Sequence, residues 1–435
     1  MILERALVWY DYLHEVFSQI NNVLLVLIGI AFMAQLFFII FFFVKKKTYP
    51  KAKAFHKFAI VIPARNEESV IERTVTELLN KQNYPKDKYD IYVIADNCTD
   101  KTASIAKKAG VNVIIHNDNE PSHKRVSYAL QYGIQKILLL NKDYECFIRF
   151  DADSLANDNF INVMNDAFES GVECGRCLEN TSNITQNMTT KCSALYYLRD
   201  CRLACRVRER AHLDCQINGS GMMFSAKIAK NIDGWDAMST AEDAEFGILR
   251  MFEGIKVHYV EDAIVYEEQA STLKDTWNRY VRIGHGVNYL FWHLGFKMLF
   301  KFFTTFRFSY LDLFLQLFFV PMAFLCCTWI PLFYIFDFCY AFWLSPIAPN
   351  MEYINLLLDI MWKALLFLFY LAFVLQAFMV TLLNKKVIKN FKVKDYILSW
   401  FIFPFFMIFD CITIFFGVIT RPKWKEIKRN KIVNK

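Results

Sequence analysis

No cysteine spacing in the sequence resembles a secreted disulfide framework: the 12 cysteines are scattered at 98, 146, 174, 177, 192, 201, 205, 215, 326, 327, 339 and 411. A chain of 435 residues does not need such staples, so a small cross-linked secreted domain is excluded and the thiols read as reduced, facing a cytosol. Cys174, Cys177, Cys201 and Cys205 are of the right type to ligate zinc, but their irregular spacing favours buried thiols. There is also no acidic or basic tail long enough to signal disorder. No small-residue cleavage site accompanies the first apolar run, which is too long for a signal-peptide core, so the run reads as a retained anchor. Nor do the basic residues form a nucleic-acid platform. The net charge of +7 collects beside apolar runs, at Lys45-Lys46-Lys47, Lys385-Lys386 and Lys423 to Lys431, as on cytoplasmic membrane flanks.

What the chain has in abundance is apolar and aromatic side chains, with 55% of residues hydrophobic and 43 Phe, 21 Tyr and 9 Trp. They are segregated. Residues 55–290 look like an ordinary soluble α/β domain, and the flanks are dominated by long apolar runs. Residues 1–22 form a mixed N-terminal segment, and residues 23–44 are an apolar stretch long enough to span a bilayer as a helix. Lys45-Lys46-Lys47 places the end of that helix in the cytoplasm. Residues 291–308 interleave Lys and Arg with Phe and Leu, as an amphipathic helix lying in the membrane interface does. Residues 309–420 are expected to hold transmembrane helices, in the blocks Leu311 to Leu344, Ile354 to Leu383 and Tyr396 to Thr420, and residues 421–435 form a basic cytoplasmic tail. A single crossing by the last block would put that tail outside. The block, with Pro404 and Asp410, is therefore predicted to be a re-entrant hairpin; a hairpin over Leu311 to Leu344 is the alternative. The expectation is a multi-pass integral protein of the cell membrane with its soluble domain in the cytoplasm. The Asn-X-Ser/Thr triplets at Asn97, Asn180, Asn183, Asn187 and Asn218 then carry no glycosylation meaning.

Within the soluble domain, strands at Phe58–Ile62, Tyr89–Ala95, Val111–Ile115 and Glu145–Phe150 alternate with helical patterns, which predicts parallel βαβ units. The first helix is expected to start at Arg65 to Glu68 and run to Lys81. Further on come a helical stretch from Ser193 to His212, a glycine-rich turn at Asn218 to Met222, and a helix from Glu242 to Phe252. Two short strands are expected between Val257 and Val265, and a helix from Leu273 to about His293. Each of the first four strands runs into a polar cluster: Arg65-Asn66-Glu67, Asp96, Lys124 and Asp151-Ala152-Asp153. In a parallel sheet these share one carboxyl-edge crevice, where ligands bind. Two carboxylates so close can hold a hard divalent cation that itself holds phosphate oxygens, although the same residues suit a solvated acidic turn or helix cap. A nucleoside diphosphate suits such a crevice, with Asp96 accepting from base or ribose and a metal neutralising the departing diphosphate.

The ordered set Ile62-Pro63-Ala64-Arg65-Asn66-Glu67-Glu68, Ala95-Asp96-Asn97-Cys98-Thr99-Asp100, Lys124-Arg125, Asp151-Ala152-Asp153, Gly219-Ser220-Gly221, Gly234-Trp235-Asp236, Glu242-Asp243-Ala244-Glu245 and Tyr266-Glu267-Glu268-Gln269 resembles the membrane-bound inverting family-2 glycosyltransferases, the superfamily of cellulose, hyaluronan and poly-N-acetylglucosamine synthases. The resemblance covers about residues 58 to 290. It implies an α/β fold of GT-A type with a Rossmann-like, mostly parallel sheet, a nucleotide-sugar donor (UDP-linked), a lipid-linked or saccharide acceptor, and Mg2+ or Mn2+. It further implies that Asp96 binds the base, that Asp151 lies near the sugar-nucleotide and shares the metal with Asp153, and that Asp243, beside Glu242, is the catalytic base. Pro63, Arg65, Asn66, Glu67, Asn97, Lys124 and Gly221 complete the implied nucleotide-sugar site, and Arg279 and Arg282, one helical turn apart, can reach a diphosphate. Taken without the other motifs, Glu242-Asp243 equally suits a helix N-terminus, and the two arginines suit lipid headgroups.

The chain departs from the pattern where processive synthases carry Gln-x-x-Arg-Trp. Here Arg279-Tyr280-Val281-Arg282-Ile283 precedes Gly286, and isoleucine cannot stack on a sugar as an indole does. The expectation is a non-processive transferase serving glycolipid or cell-surface polysaccharide synthesis. The alternatives are a processive synthase that exports its own product and a non-catalytic nucleotide-binding membrane scaffold.

Overall fold

Continuous apolar strands alternating with one-sided amphipathic helices build the sheet-bearing part of the chain. The computed structural model describes residues 2–37, 45–120, 123, 125–344, 363, 367, 370–388 and 391–420. It forms two compact units: a sheet unit from Phe38–Asn278 with Val380–Lys392, and a helical unit from Met1–Phe37, Arg279–Met379 and Val393–Lys423. Helix α1 (Ile2–Phe37) belongs to the helical unit and is continuous, so the N-terminal segment and the start of the expected anchor are one helix; residues 38–44 lie outside the described residues.

In the sheet unit, β1 (Phe58–Ala64) is buried on both faces, as a central parallel strand is. It leads through a turn to α2 (Ile71–Lys81), which buries Ile71, Val75 and Leu78 at helical spacing. The helix starts later than expected because Asn66 has φ 56°, a left-handed conformation that no α-helix interior accommodates. There follow β2 (Tyr89–Asp96), α3 (Thr102–Lys108), β3 (Asn112–His116), α4 (Val126–Leu138), β4 (Cys146–Arg149), β5 (Leu155–Ala156), α5 (Phe160–Glu169) and β6 (Cys174–Thr181). Helix α6 (Met188–Arg199) passes through a π-helical turn, Asp200–Cys205, into α7 (Arg206–Arg210). Strand β7 (Met222–Ser225), α8 (Ala226–Asn231), α9 (Glu242–Phe252) and β8 (Val257–Glu267) complete the unit.

The sheet order is β3-β2-β1-β4-β7-β6-β8-β5. It is mixed, with four of its seven strand pairings parallel: β1 pairs in parallel with β2 and β4, β2 with β3 and β6 with β8, whereas β7 runs antiparallel to β4 and β6, and β5 to β8. The reversal of β7 brings the turn before its first residue to the carboxyl end of β4. The two short strands expected between Val257 and Val265 are one strand. Its register against β6 shifts at Cys177/Leu178, where Val260 and Ile264 become successive partners, so the pattern breaks while the strand continues. The core beneath β7 is aromatic: Trp235 is fully buried, stacked on Phe246 at 4.3 Å and edge-on to Phe224, and its indole N–H donates to the Ala237 carbonyl at 2.9 Å.

Helix α10 (Leu273–Leu290) enters the helical unit at Arg279. A π-helical turn, Phe291–Gly295, leads to α11 (Phe296–Thr305), which Phe306 ends at φ 52°. Trp292, Phe296, Phe300 and Phe303 line one exposed stripe. Helix α12 (Phe308–Leu344) continues through Pro321 and Pro331, which removes the hairpin alternative there. Helix α13 (Tyr370–Leu383) precedes α14 (Ile397–Ile419), which continues through Pro404. The predicted re-entrant hairpin is therefore replaced by one straight-through helix. A proline deletes one N–H and kinks a helix without reversing it when neighbouring helices pack around it. Among the described residues one helix, Val393–Ile419, is long and apolar enough to cross a membrane. Residues 345–362 and the basic tail lie outside the described residues.

Helices α10 and α14 cross with their backbones nearly touching. A Cβ on Gly417 would stand 2.6 Å from the Val281 carbonyl oxygen and 2.7 Å from the His285 nitrogen. Because those neighbours are backbone, Gly417→Ala is expected to lower stability by about 1–3 kcal/mol, read as a lower thermal midpoint in detergent.

Candidate active site

Antiparallel pairing of β4 and β7 sets the turn Asn218–Gly221 against the residues leaving β4. The Asp151 backbone N–H donates to Ser220 Oγ at 3.1 Å, and the Gly221 N–H to the Arg149 carbonyl at 2.7 Å. The Gly219 N–H donates to Asp243 Oδ2, and the Ala244 N–H to Asp243 Oδ1 at 2.8 Å, so two backbone donors orient this carboxylate at the start of α9. A Cβ on Gly219 would lie 3.5 Å from Asp151 Oδ2 and 3.8 Å from Asp243 Oδ2. One glycine thus separates the carboxylates of Asp151 and Asp243, two residues ninety-two positions apart in sequence.

Arg149, the buried last residue of β4, stands among these acids. Its Nη2 is 3.0 Å from Glu242 Oε1 and 3.4 Å from Asp151 Oδ1. Burial pushes the Glu242 carboxyl up to about 7, with Asp243 adding to the rise and Arg149 opposing it. Nε and Nη1 of Arg149 have no hydrogen-bond partner. Sequence reading passed over this arginine because it sits inside an apolar strand pattern. The only signal was a charge in a strand that buries every other side chain.

At the β2 end, Asp96 is buried and its Oδ1 accepts from His116 Nδ1 at 2.8 Å and Asn97 Nδ2 at 2.7 Å. His116, which ends β3, was also missed, since a lone histidine closing a strand carries no motif. The loops after β1 and β2 are laced together. Asn66 Oδ1 accepts from the Thr99 N–H at 2.9 Å, the Glu67 N–H donates to Thr102 Oγ1 at 2.8 Å, and the Glu68 N–H donates to Asp100 Oδ2 at 3.1 Å. Asn97 Oδ1 accepts from the Asp118 N–H at 2.9 Å. Arg65 and Pro63 are half-buried at this edge. Gly221 has φ +75°, and a Cβ there would meet Cys177 Sγ at 2.4 Å, so its surroundings are core, and Gly219 is the glycine that faces the carboxylates. Asp153 is half-buried, two residues past Asp151. Lys124 lies outside the described residues, and Arg279 and Arg282 are in the helical unit on α10.

Asp151 and Asp153 supply hard oxygen donors of the type Mg2+ or Mn2+ takes when one or two carboxylates, water and phosphate share its shell. Asp151 is 39% exposed, open enough for that role. Among the described residues no three His, Cys, Asp or Glu side chains gather as a ready-made metal cage. The cysteines do not gather as a zinc site either, and a guanidinium lies against two of their sulfurs: Arg176 Nη1 is 3.0 Å from Cys205 Sγ and its Nη2 is 3.9 Å from Cys201 Sγ. Burial raises the thiols Cys174, Cys177 and Cys201, keeping them protonated.

A family model described as glycosyltransferase-like family 2 matches residues 56–286, more than half of the chain. The chain belongs to glycosyltransferase family 2. This family-2 chain is 26% identical over 247 residues to a probable glycosyltransferase, YdaM, of Bacillus subtilis, covering 55% of the chain and 57% of that protein. It is 22% identical over 249 residues to a beta-monoglucosyldiacylglycerol synthase of Nostoc sp., covering 55% of the chain and 51% of that protein. The matched part thus spans about half the length of these curated relatives. In structure it resembles a mannosyltransferase of Pyrobaculum calidifontis, solved with GDP-Man and Mn2+, at a TM-score of 0.54 and 14% identity, over 88% of this chain and 97% of that one. That likeness is one of fold, a mixed α/β sheet of GT-A type.

Two outcomes are expected of the acid cluster. Arg149→Met leaves two carboxylates without their cation and is expected to cost about 3 kcal/mol, part of it recovered in Arg149→Met/Glu242→Gln, as read by denaturant titration. The Glu242 pKa, raised from its ordinary 4.5 to about 7, means the folded protein holds a proton that the unfolded chain releases. Stability from this group is therefore present below about 4.5 and is lost as pH rises towards 7. The thermal midpoint of Glu242→Gln should gain on wild type between pH 5 and pH 7.5, and a constant difference would contradict the assignment.

Proposed function

We propose that this family-2 chain is a multi-pass, membrane-embedded, inverting glycosyltransferase that moves a sugar from a UDP-linked donor to a lipid-linked or membrane-proximal saccharide acceptor. Its sheet unit works in the cytoplasm with Mg2+ or Mn2+ held by Asp151 and Asp153. The observation that carries this reading is the pair Asp151 and Asp243 on either side of Gly219. It supplies a metal-side carboxylate and a proton acceptor at adjacent positions, as in-line displacement requires.

The metal would neutralise charge on the departing diphosphate. Asp96 accepts from the base, and Pro63, Arg65, Asn66, Glu67 and Asn97 shape the rim beside it. The acceptor oxygen attacks the anomeric carbon from the face opposite the diphosphate. The new C–O bond forms as the bond to phosphate breaks, the hydroxyl proton passes to Asp243, and the anomeric configuration inverts. Glu242 and Arg149 keep Asp243 and Asp151 apart and in place.

Membrane embedding is supported by the helix Val393–Ile419, and by α11, where exposed Phe296, Phe300 and Phe303 flank Lys297 and Lys301 as on an interfacial helix. The Nostoc relative, a glycolipid synthase by name, supports a lipid acceptor. Ile283, 40% exposed where synthases place a tryptophan, supports single transfer over polymerisation. Asp243→Asn is expected to cut transfer from a UDP-sugar by about 100-fold or more while leaving UDP affinity within about twofold. Undiminished turnover would refute the base assignment, and ladders of long polymer from the purified protein would refute single transfer.

A further inference from the structure

His116 and Asp96 are partners in the parallel pairing of β2 and β3, so the strand register sets the two side chains side by side. Both are nearly buried, at 9% and 5% side-chain exposure. The imidazole lies 4.8 Å from the Tyr132 ring, tilted by 40°, and its Nδ1 is 2.8 Å from Asp96 Oδ1. Asp96 accepts only, so the proton in this bond is on Nδ1. Asn97 Nδ2 reaches the same oxygen at 2.7 Å. Asn97 is itself fixed at φ 46°, with its N–H on the His116 carbonyl at 2.8 Å and its Oδ1 on the Asp118 N–H at 2.9 Å. Each carboxylate oxygen offers about two lone-pair sites. Oδ1 is therefore filled by two donors, both anchored by the backbone around them, and the carboxylate presents Oδ2 alone to a ligand.

We propose that His116 sets the base preference of the donor site: by filling Asp96 Oδ1 it leaves one acceptor, which matches the single imide N–H of uracil and not the two adjacent N–H donors of guanine. The proposal rests on the reading of Asp96 as the base acceptor. The pairing edge of guanine carries N1–H and N2–H side by side and is satisfied by both oxygens of one carboxylate. Against a single open oxygen one of them is desolvated without a partner, a loss that uracil does not incur. His116 touches neither base in this scheme and acts through Asp96, as a positioning residue for specificity.

The test is calorimetric titration of UDP and of GDP, each with Mn2+, into the full-length protein in detergent at neutral pH. Wild type is expected to bind UDP at least about tenfold more tightly than GDP, the worth of one hydrogen bond to a charged acceptor. His116→Ala, which reopens Oδ1, is expected to shrink that ratio by about tenfold, with GDP gaining. His116→Asn, whose amide N–H stands near the Nδ1 position, is expected to restore it. A merely structural role would weaken both nucleotides alike and leave the ratio unchanged, which would overturn the proposal, as would equal UDP and GDP affinity in wild type. Asp96→Ala separates the two levels. If it abolishes nucleotide binding while the ratio ignores His116, the donor-site reading stands and the inference falls. If neither nucleotide binds wild type, both fall.

Discussion

Three acids, Asp151, Glu242 and Asp243, share one corner of this sheet because a buried guanidinium stands among them. Like charges at such spacing repel strongly where water is scarce, and without a cation at least one must take up a proton or the corner must open. Arg149 supplies the cation from the end of the strand that also delivers Asp151, so charge and counter-charge are delivered by one backbone. Even so the compensation is partial. Burial still holds the Glu242 carboxyl up to about 7, which leaves Asp243 next to a group of variable charge at neutral pH.

The second constraint is strand direction. A wholly parallel sheet would have put the turn before β7 at the opposite edge from Asp151. Running antiparallel, β7 begins where β4 ends, and the Gly219 amide becomes a donor to Asp243 while its missing side chain leaves room between the two carboxylates. The glycines of this turn divide the work. Gly219 keeps the space between the acids open, and Gly221 lets the chain pass close over Cys177 in the core.

In the helical unit, close backbone approach replaces charge as the organising device. The glycine crossing of α10 and α14 ties the helix that carries Arg279 and Arg282 to the segment long and apolar enough to cross a membrane. The prolines of α12 and α14 lie within continuous helices and do not reverse the chain.

Much of the sheet unit was legible from local pattern. Apolar runs of strand length, amphipathic helices between them and polar residues at strand ends are properties of short segments, and they located β1, β2, β4 and α9 and put Asp96 and Asp151 at strand ends, whereas Asp243 was singled out only by the resemblance to a family. Turn chemistry blurred the edges: the left-handed Asn66 delays α2, and the β-bulge at Glu261 to Ala263 disguised one strand as two. The helix–hairpin choice in the apolar blocks was misjudged because proline's effect depends on what packs around it. By itself the sequence determined which chemical groups this protein has and the order in which they follow strand ends. Only the tertiary structure decided that Arg149 and His116 belong with them, because hydrogen bonds between residues from different strands depend on register and strand direction, which no local periodicity records.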